Sequence, residues 1–294
     1  MDQQQQLAMV QRMRQNVVDT GAALQPSSTY AVTVEEVMIP TTKGETRVLV
    51  YTPDRDHHAP LPVFFNMHGG GFILGQAEGD DPWCRLIADR ADCLVINIDY
   101  SLAPENKFPT AVHECYDVVK WVHNNPASFS VNPSLLAIGG HSAGGNLAAA
   151  VCLLNQQRGS ELPIALQVID YGVLDVATDP AEKPSFEEAI PADIARTFNA
   201  MYLETPEDAH DPLASPVLAK SLQELPLALI ITAEKDSLAQ EARTYAARLE
   251  ESGVKVTLKE YEGAAHGFTH FGDLKMAEDA WFLMSDKIRE AFSK

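Results

Sequence analysis

A serine stands between two glycines near the middle of the chain, in the stretch Gly140-His141-Ser142-Ala143-Gly144. An apolar run, residues 135–139, comes directly before this stretch, and an alanine-rich run of helical character follows it. A strand that reverses into a helix within a few residues holds its central residue at strained backbone angles and leaves the flanking positions no room for side chains. The pattern therefore predicts a sharp strand-to-helix turn that exposes the hydroxyl of Ser142.

A glycine-rich stretch, His68-Gly69-Gly70-Gly71-Phe72, follows the apolar run 62–67 upstream. We interpret the run as a buried strand that ends in a turn with uncovered backbone N–H groups. Acyl transfer develops negative charge on a carbonyl oxygen, and one N–H donor aimed at that oxygen lowers the barrier by roughly 3 to 4 kcal/mol. The sequence predicts an oxyanion hole formed by the N–H groups of Gly70, Gly71 and Ala143.

Two further strand ends supply a carboxylate and a histidine. The apolar run 227–233 ends shortly before Asp236, and the next predicted strand, 254–261, leads to His266 in a turn of small residues. The resulting order of serine, acid and histidine is the order found where a serine lies on such a turn. We expect Ser142, Asp236 and His266 to form a catalytic triad.

Other residues compete for two of these roles. Glu234 and Asp175 also lie close to strand ends and are alternatives to Asp236 as the acid. His141 is adjacent to the serine and is an alternative to His266 as the base. Consecutive side chains in a sharp turn diverge, so we expect His141 to have a structural or electrostatic role instead.

Five stretches together resemble the hormone-sensitive-lipase-like branch of the α/β-hydrolase carboxylesterases. They are residues 68–72, 99–105, 140–147, 211–216 and 266–268. The resemblance implies an α/β-hydrolase fold in which Ser142 is the nucleophile, His266 the general base and Asp236 the acid that orients the base. The chain departs from the pattern at His141, where the branch usually has an acidic residue, and at Ser101, where it usually has arginine.

Predicted strands alternate with predicted helices from about residue 46 onward. The strands are expected at residues 46–52, 62–67, 93–99, 135–139, 164–171, 227–233 and 254–261, and the helices at 80–91, 110–124, 144–157 and 238–252. This alternation is typical of an α/β fold with a mainly parallel central sheet flanked by helices on both faces. Ligands bind outside the carboxyl ends of the strands in such sheets, which is where Ser142 and Asp236 are placed.

Residues 1–294 are predicted to form a single domain, because this length is within the range of one α/β core. Two regions, residues 1–40 and 176–210 approximately, do not follow the alternation. We interpret both as elements of a small helical cap over the active site.

The charge balance disfavours polyanionic partners. The chain has 22 basic and 41 acidic residues and a net charge of −19, so nucleic acid and anionic membrane surfaces would be repelled. It has neither the start of a signal peptide nor an apolar run of about 18 residues. Its four scattered cysteines are expected to be buried thiols. We therefore expect a cytoplasmic protein that contacts neither nucleic acid nor membrane.

The combined features favour hydrolysis of short-chain acyl esters of small molecules through an acyl-enzyme intermediate, without a metal or an organic cofactor. An amidase, deformylase or peptidase would use the same triad, and a non-catalytic receptor of this fold would typically have lost a member of it. Relatives of this kind often pair through an edge strand, and residues 254–261 are the candidate strand for a homodimer.

Overall fold

Eight strands form one sheet in the computed structural model, which describes residues 3–20 and 24–293. The strands are β1 (Val32–Thr41), β2 (Gly44–Pro53), β3 (Leu61–Met67), β4 (Leu94–Ile98), β5 (Val131–His141), β6 (Ile164–Asp170), β7 (Leu227–Lys235) and β8 (Val256–Ala265). Their order across the sheet is β1-β2-β4-β3-β5-β6-β7-β8. The β1–β2 and β2–β4 pairs are antiparallel, and the five pairs from β4 to β8 are parallel.

Helices cover both faces of the sheet. They are α1 (Gln3–Thr20), α2 (Asp81–Ala91), α3 (Thr110–Asn124), α4 (Ala143–Gln157), α5 (Ala192–Tyr202), α6 (Ala239–Glu251), α7 (Phe268–Phe271) and α8 (Leu274–Phe292). Successive side chains of a strand point to opposite faces, so Phe64 packs with α2 and α8, whereas Phe65 packs with α3, α4 and α6. None of the helices within the described residues is long and apolar enough to cross a membrane.

The predicted fold class is confirmed. Each of the seven predicted strands and four predicted helices is present, and the sheet is mainly parallel with helices on both faces. The largest difference between a predicted and an observed start is at β5, which begins at Val131 rather than at residue 135.

Residues 32–40 were expected in a cap element but form most of the edge strand β1, so this part of the cap prediction is wrong. Val32 and Val34 pack on the face covered by α2 and α8, whereas Val37 and Ile39 pack on the opposite face. The buried side of the strand therefore changes midway along its length. The simple alternation that identifies a half-buried strand is interrupted for this reason.

The helix α1 packs against the loop that follows the glycine-rich stretch. Val10 is fully buried, and Met13 packs against the core. Arg14 donates from Nε to the carbonyl of Ile73 at 2.8 Å and forms an ion pair with Glu105 at 2.8 Å. These contacts place the first helix beside the carboxyl ends of the parallel strands.

Candidate active site

The strand-to-helix turn between β5 and α4 places Ser142 at φ 53° and ψ −116°, a backbone conformation that is costly for any residue other than glycine. Glycines on both sides allow this turn to form. A Cβ added to Gly140 would lie 2.4 Å from the carbonyl oxygen of Met67, and one added to Gly144 would lie 1.9 Å from the same oxygen. The turn thus depends on direct contact between its own backbone and that of β3.

Three side chains from distant parts of the chain meet at this turn. The Ser142 Oγ lies 2.9 Å from Nε2 of His266, and Nδ1 of His266 lies 2.7 Å from Oδ2 of Asp236. The side chain of Asp236 is 1% exposed and that of His266 is 10% exposed. The structure therefore brings together the three residues that the sequence predicts as a triad, in a site with little solvent around the acid.

Backbone geometry holds the acid and the base. Asp236 follows β7, and its Oδ1 accepts a hydrogen bond from the backbone N–H of Leu238 at 3.0 Å. His266 follows β8, and the next residue, Gly267, has φ 79°, which turns the chain into α7. The ring of Tyr171 contacts His266 edge to face, with centroids 5.0 Å apart.

Both alternative acids have other partners. Oε2 of Glu234 accepts from the backbone N–H of Gly263 at 2.7 Å, and the residue is exposed. Asp175 accepts hydrogen bonds from the N–H and the hydroxyl of Thr178. Burial alone would raise the pKa of Asp175, but these hydrogen bonds hold it below its usual value. Asp236 is the one of the three candidates whose carboxylate contacts the ring of His266.

The glycine-rich stretch passes beside the turn in a conformation that suits glycine. Gly70 and Gly71 have φ values of 123° and 60°. A Cβ on Gly70 would lie 2.2 Å from the carbonyl oxygen of Leu74, and one on Gly71 would lie 2.4 Å from the ring of Phe198. Ala143, the third predicted donor, is the first residue of α4, where backbone N–H groups have no partner within the helix.

Contacts with neighbouring residues hold the start of this stretch. The hydroxyl of Tyr100 donates to the carbonyl of His68 at 2.9 Å, and the two rings are stacked with centroids 4.3 Å apart. His68 donates from Nδ1 to the carbonyl of Gly69 at 2.7 Å. Burial lowers the pKa of His68, which favours a neutral ring at this position.

A pocket opens next to Ser142 and has mainly apolar walls, which are formed by Phe72, Val173, Ile190, Phe198 and Leu238 among other residues. Its walls come both from loops at the strand ends and from α5, which lies in the region predicted as a cap. The pocket is therefore suited to a small apolar group attached to a reacting carbonyl.

A buried ion pair lies in one wall of this pocket. Lys183 donates to the carbonyl of Asp175 at 2.6 Å and pairs with Glu241, which also accepts from the backbone N–H of Leu174 at 2.7 Å. Burial raises the pKa of Glu241 to about 7, against the opposing effect of Lys183. The pair fastens the loop after β6 to α6 beside the pocket.

The ring of His141 forms a cluster with the buried residues Asp80 and His270, and its own side chain is 13% exposed. Within the described part of the chain, these three residues are the one group with the donor types and spacing for a metal ion. The two imidazole rings are stacked with centroids 3.8 Å apart, and Nε2 of each ring already lies within 3.2 Å of the same oxygen of Asp80. This geometry supports a hydrogen-bonded cluster more than a metal centre.

The sequence analysis identifies His141 but neither Asp80 nor His270. These two residues are 190 positions apart, and their oxygen and nitrogen lie 3.2 Å from each other. A contact over such a distance in the chain leaves no local motif, so the printed sequence holds no signal for it.

Replacing Gly144 by alanine is expected to destabilise the protein by about 3 kcal/mol, because the new Cβ would overlap the carbonyl oxygen of Met67. Gly79→Ala is the matched control, since a Cβ on Gly79 meets nothing within 4 Å. Urea denaturation followed by circular dichroism measures the free energy of unfolding of both variants. An unfolding curve of Gly144→Ala that coincides with wild type would contradict the close contact.

Comparisons with known sequences agree with this arrangement. The profile of a family with the α/β hydrolase fold matches residues 64–270. The chain is 33% identical over 259 residues to an arylesterase of Saccharolobus solfataricus, a match that covers 88% of this chain and 84% of that protein. It is 36% identical over 258 residues to the carboxylic ester hydrolase LipN of Mycobacterium tuberculosis, covering 85% of this chain and 68% of that protein.

Solved structures of esterases share the fold. The thermostable carboxylesterase EstE1, cloned from a metagenomic library, has 36% identity and a TM-score of 0.87, and the match covers 96% of this chain and 97% of EstE1. A hyperthermophilic esterase from Pyrobaculum calidifontis has 34% identity and a TM-score of 0.84, covering 99% of this chain and 94% of that one. The resemblance stated from the sequence is confirmed: the chain belongs to the α/β-hydrolase family, in its hormone-sensitive-lipase-like branch.

Proposed function

We propose that the protein is a serine carboxylesterase in which Ser142 is the nucleophile, His266 the general base and Asp236 the acid that orients the base. The observation that carries the proposal is the continuous chain of hydrogen bonds from Ser142 through His266 to Asp236, at 2.9 and 2.7 Å. A serine hydroxyl is a weak nucleophile until an adjacent base accepts its proton. The chain of hydrogen bonds supplies this base in the required orientation.

The reaction proceeds in two steps of acyl transfer. Nε2 of His266 takes the proton of Ser142 while Oγ forms a bond to the ester carbonyl carbon, and the carbonyl oxygen becomes an oxyanion. The N–H groups of Gly70, Gly71 and Ala143 stabilise this oxyanion. The bond to the alcohol then breaks, and His266 returns the proton to the leaving oxygen. Water repeats the sequence on the acyl-enzyme and releases the acid.

Burial of Asp236 suits its role as the orienting acid. The carboxylate accepts from the N–H of Leu238 through one oxygen and from Nδ1 of His266 through the other. The proton of a neutral His266 is thereby kept on Nδ1, and Nε2 presents a lone pair to the serine. The same carboxylate stabilises the imidazolium that forms when the serine proton is taken.

Esters are the substrate class that the comparisons support. The relatives are named as an arylesterase and a carboxylic ester hydrolase, and the similar structures are described as esterases. An amidase or deformylase would use the same three side chains, so matched ester and anilide substrates distinguish the two activities. A receptor without activity is disfavoured because all three side chains are present and in contact.

Asp236→Asn is expected to lower kcat for p-nitrophenyl acetate by about 10⁴-fold, because an amide favours the wrong tautomer of His266. Ser142→Ala is expected to abolish turnover to a similar or greater extent. Glu234→Gln is the matched control and should keep the wild-type rate, since Glu234 pairs with the backbone of Gly263 outside the triad. Substantial turnover by Ser142→Ala would show that another group is the nucleophile.

We further propose that α1 and α5 form a small cap over a pocket for short acyl groups. Phe198 of α5 lies directly on Gly71, since a Cβ on this glycine would be 2.4 Å from the ring. Phe198 also lines the pocket next to Ser142. We expect this aromatic ring of the cap, which lies against the proposed oxyanion hole, to limit the length of the acyl chain that fits.

Phe198→Ala is expected to shift the preference towards longer acyl chains, because removal of the ring extends the pocket. Hydrophobic pockets discriminate by about tenfold or more for each methylene group, so the kcat/KM ratio of p-nitrophenyl octanoate to butyrate should rise by at least about tenfold. Phe186→Ala is the control, because Phe186 is an exposed phenylalanine outside the pocket lining. An unchanged ratio in Phe198→Ala would assign the length limit to other residues.

The edge strand β8 is the surface through which we propose that two copies pair. It lies at one end of the sheet order, and Leu258 on it is 46% exposed. An edge strand presents unpaired N–H and C=O groups that a second strand can bind.

Wild-type protein is expected to sediment as a dimer of the 32.1 kDa chain, and Leu258→Lys is expected to sediment as a monomer. Sedimentation velocity measures both masses. A charge on each copy would oppose pairing along this strand. Leu218→Lys is the control, since Leu218 is 43% exposed and lies outside β8. A wild-type protein that sediments as a single chain would contradict the proposal.

A reducing, cytoplasmic setting is proposed from the cysteines. Cys84, Cys93, Cys115 and Cys152 are all free and buried. Free thiols of this kind are typical of proteins from reducing compartments, whereas secreted proteins commonly use cysteines in disulfides.

A further inference from the structure

His141 is the last residue of β5 and directly precedes Ser142, and its ring lies against the glycine-rich stretch. The backbone N–H of Gly69 donates to Nε2 of His141 at 2.9 Å. A Cβ on Gly69 would lie 2.6 Å from two atoms of the ring. The imidazole is therefore a side-chain contact between the turn carrying the nucleophile and the stretch carrying Gly70 and Gly71, in addition to the backbone contact with β3.

One carboxylate oxygen of Asp80 contacts the imidazoles of both His141 and His270. Its Oδ1 lies 3.1 Å from Nε2 of His141 and 3.2 Å from Nε2 of His270, and its Oδ2 accepts from Nδ2 of Asn66 at 2.7 Å. Asp80 is 2% exposed. Burial would raise the pKa of Asp80, but the two imidazoles hold it well below its usual value, so this carboxylate is ionised.

The nitrogen of His141 that faces Gly69 also faces Asp80, and one proton does not serve both contacts. Burial and the neighbouring His270 lower the pKa of His141, which favours a neutral ring with a single proton. With that proton on Nδ1, Nε2 accepts from Gly69. With the proton on Nε2, the ring donates to Asp80 and no longer accepts from Gly69.

His270 supplies Asp80 with a donor and so favours the first of these two tautomers. Nδ1 of His270 lies 3.0 Å from the hydroxyl oxygen of Tyr171. The hydroxyl of Thr269 lies at the same distance from Nδ1, and when either hydroxyl donates to Nδ1 the proton of His270 is on Nε2 and is donated to Asp80. Asp80 then has donors from His270 and Asn66, and His141 is left to accept from Gly69.

We propose that His141 is a positioning residue for ester hydrolysis, which as the Nδ1-protonated tautomer anchors Gly69 beside the nucleophile. Hydrogen bonds from His270 and Asn66 to Asp80 favour this tautomer, because they supply Asp80 with donors other than His141. The inference rests on the proposed function, because it requires that the amides of Gly70 and Gly71 stabilise the oxyanion. Such donors act only when they are held close to the developing charge, and a displacement of about 1 Å lowers rates by about 100-fold.

Nitrogen-15 NMR of protein labelled at histidine tests the tautomer without reference to activity. The signal of His141 is identified by its loss in His141→Gln. Wild-type protein is expected to show Nδ1 protonated and Nε2 unprotonated. In His270→Phe, Asp80 loses one donor, and the proton of His141 is expected to move to Nε2. A wild-type ring with its proton on Nε2 would overturn the proposal.

Kinetics of a double-mutant cycle of His141 and His270 test whether the position of Gly69 affects catalysis. His141→Phe removes the acceptor and is expected to lower kcat for p-nitrophenyl acetate by about 100-fold with little change in KM. His141→Gln offers an amide oxygen to Gly69 and an amide N–H to Asp80, so it should keep the rate within about fivefold of wild type. His270→Phe should then lower kcat in the wild-type background but not in His141→Gln, because glutamine has no tautomers.

Two kinetic outcomes would contradict the positioning role. The first is an equal loss of kcat from His270→Phe in the wild-type and His141→Gln backgrounds, which would indicate that His270 acts through packing alone. The second is a wild-type kcat for His141→Phe. Reaction of Ser142 with a fluorophosphonate, followed by mass spectrometry, separates this inference from the proposed function. A wild-type protein that does not react would refute the proposed function, whereas a reactive wild type with either kinetic outcome would refute the positioning role only.

Discussion

The backbone of β3 touches the turn after β5, and the place of the proposed nucleophile depends on this contact. Met67 pairs with Gly140 in the parallel ladder, and its carbonyl oxygen would be 2.4 Å from a Cβ at Gly140 and 1.9 Å from one at Gly144. Because the chain leaves β3 directly into the glycine-rich stretch, the same contact brings the amides of that stretch to Ser142. Any side chain larger than hydrogen at the two glycines would separate the nucleophile from its proposed oxyanion hole.

The order of the parallel strands determines how the acid and the base reach this turn. Ser142 follows β5, whereas Asp236 and His266 follow β7 and β8, so β6 lies between the nucleophile and its partners. Tyr171 follows β6 and contacts the ring of His266 edge to face, with centroids 5.0 Å apart. Its hydroxyl lies 3.0 Å from Nδ1 of His270. One aromatic side chain at the end of β6 thus supports the base and also contacts the buried histidine cluster.

The sequence was sufficient for the parts of the site that lie at strand ends, because apolar runs followed by glycine, serine, aspartate or histidine are local patterns. Among the longer elements, β1 and α8 were outside the predicted strands and helices, for different reasons. The buried face of β1 changes along its length, which interrupts its alternation. The helix α8 has its buried residues at helical spacing, at Ala277, Trp281, Met284, Ile288 and Ala291, so its pattern was present in the sequence. The contact of Asp80 with His270 depends on tertiary packing and has no such pattern.

His141 needs more hydrogen-bonding partners to act as an acceptor than the acidic residue that usually precedes the nucleophile in the hormone-sensitive-lipase-like branch. An ionised carboxylate accepts hydrogen bonds whatever its neighbours do, whereas a neutral imidazole accepts only at the nitrogen without a proton. In this chain the buried residues Asp80 and His270 lie beside the nitrogen of His141 that faces Gly69. Because Tyr171 contacts both His270 and His266, the glycine-rich stretch, the turn and the base all contact one cluster of side chains.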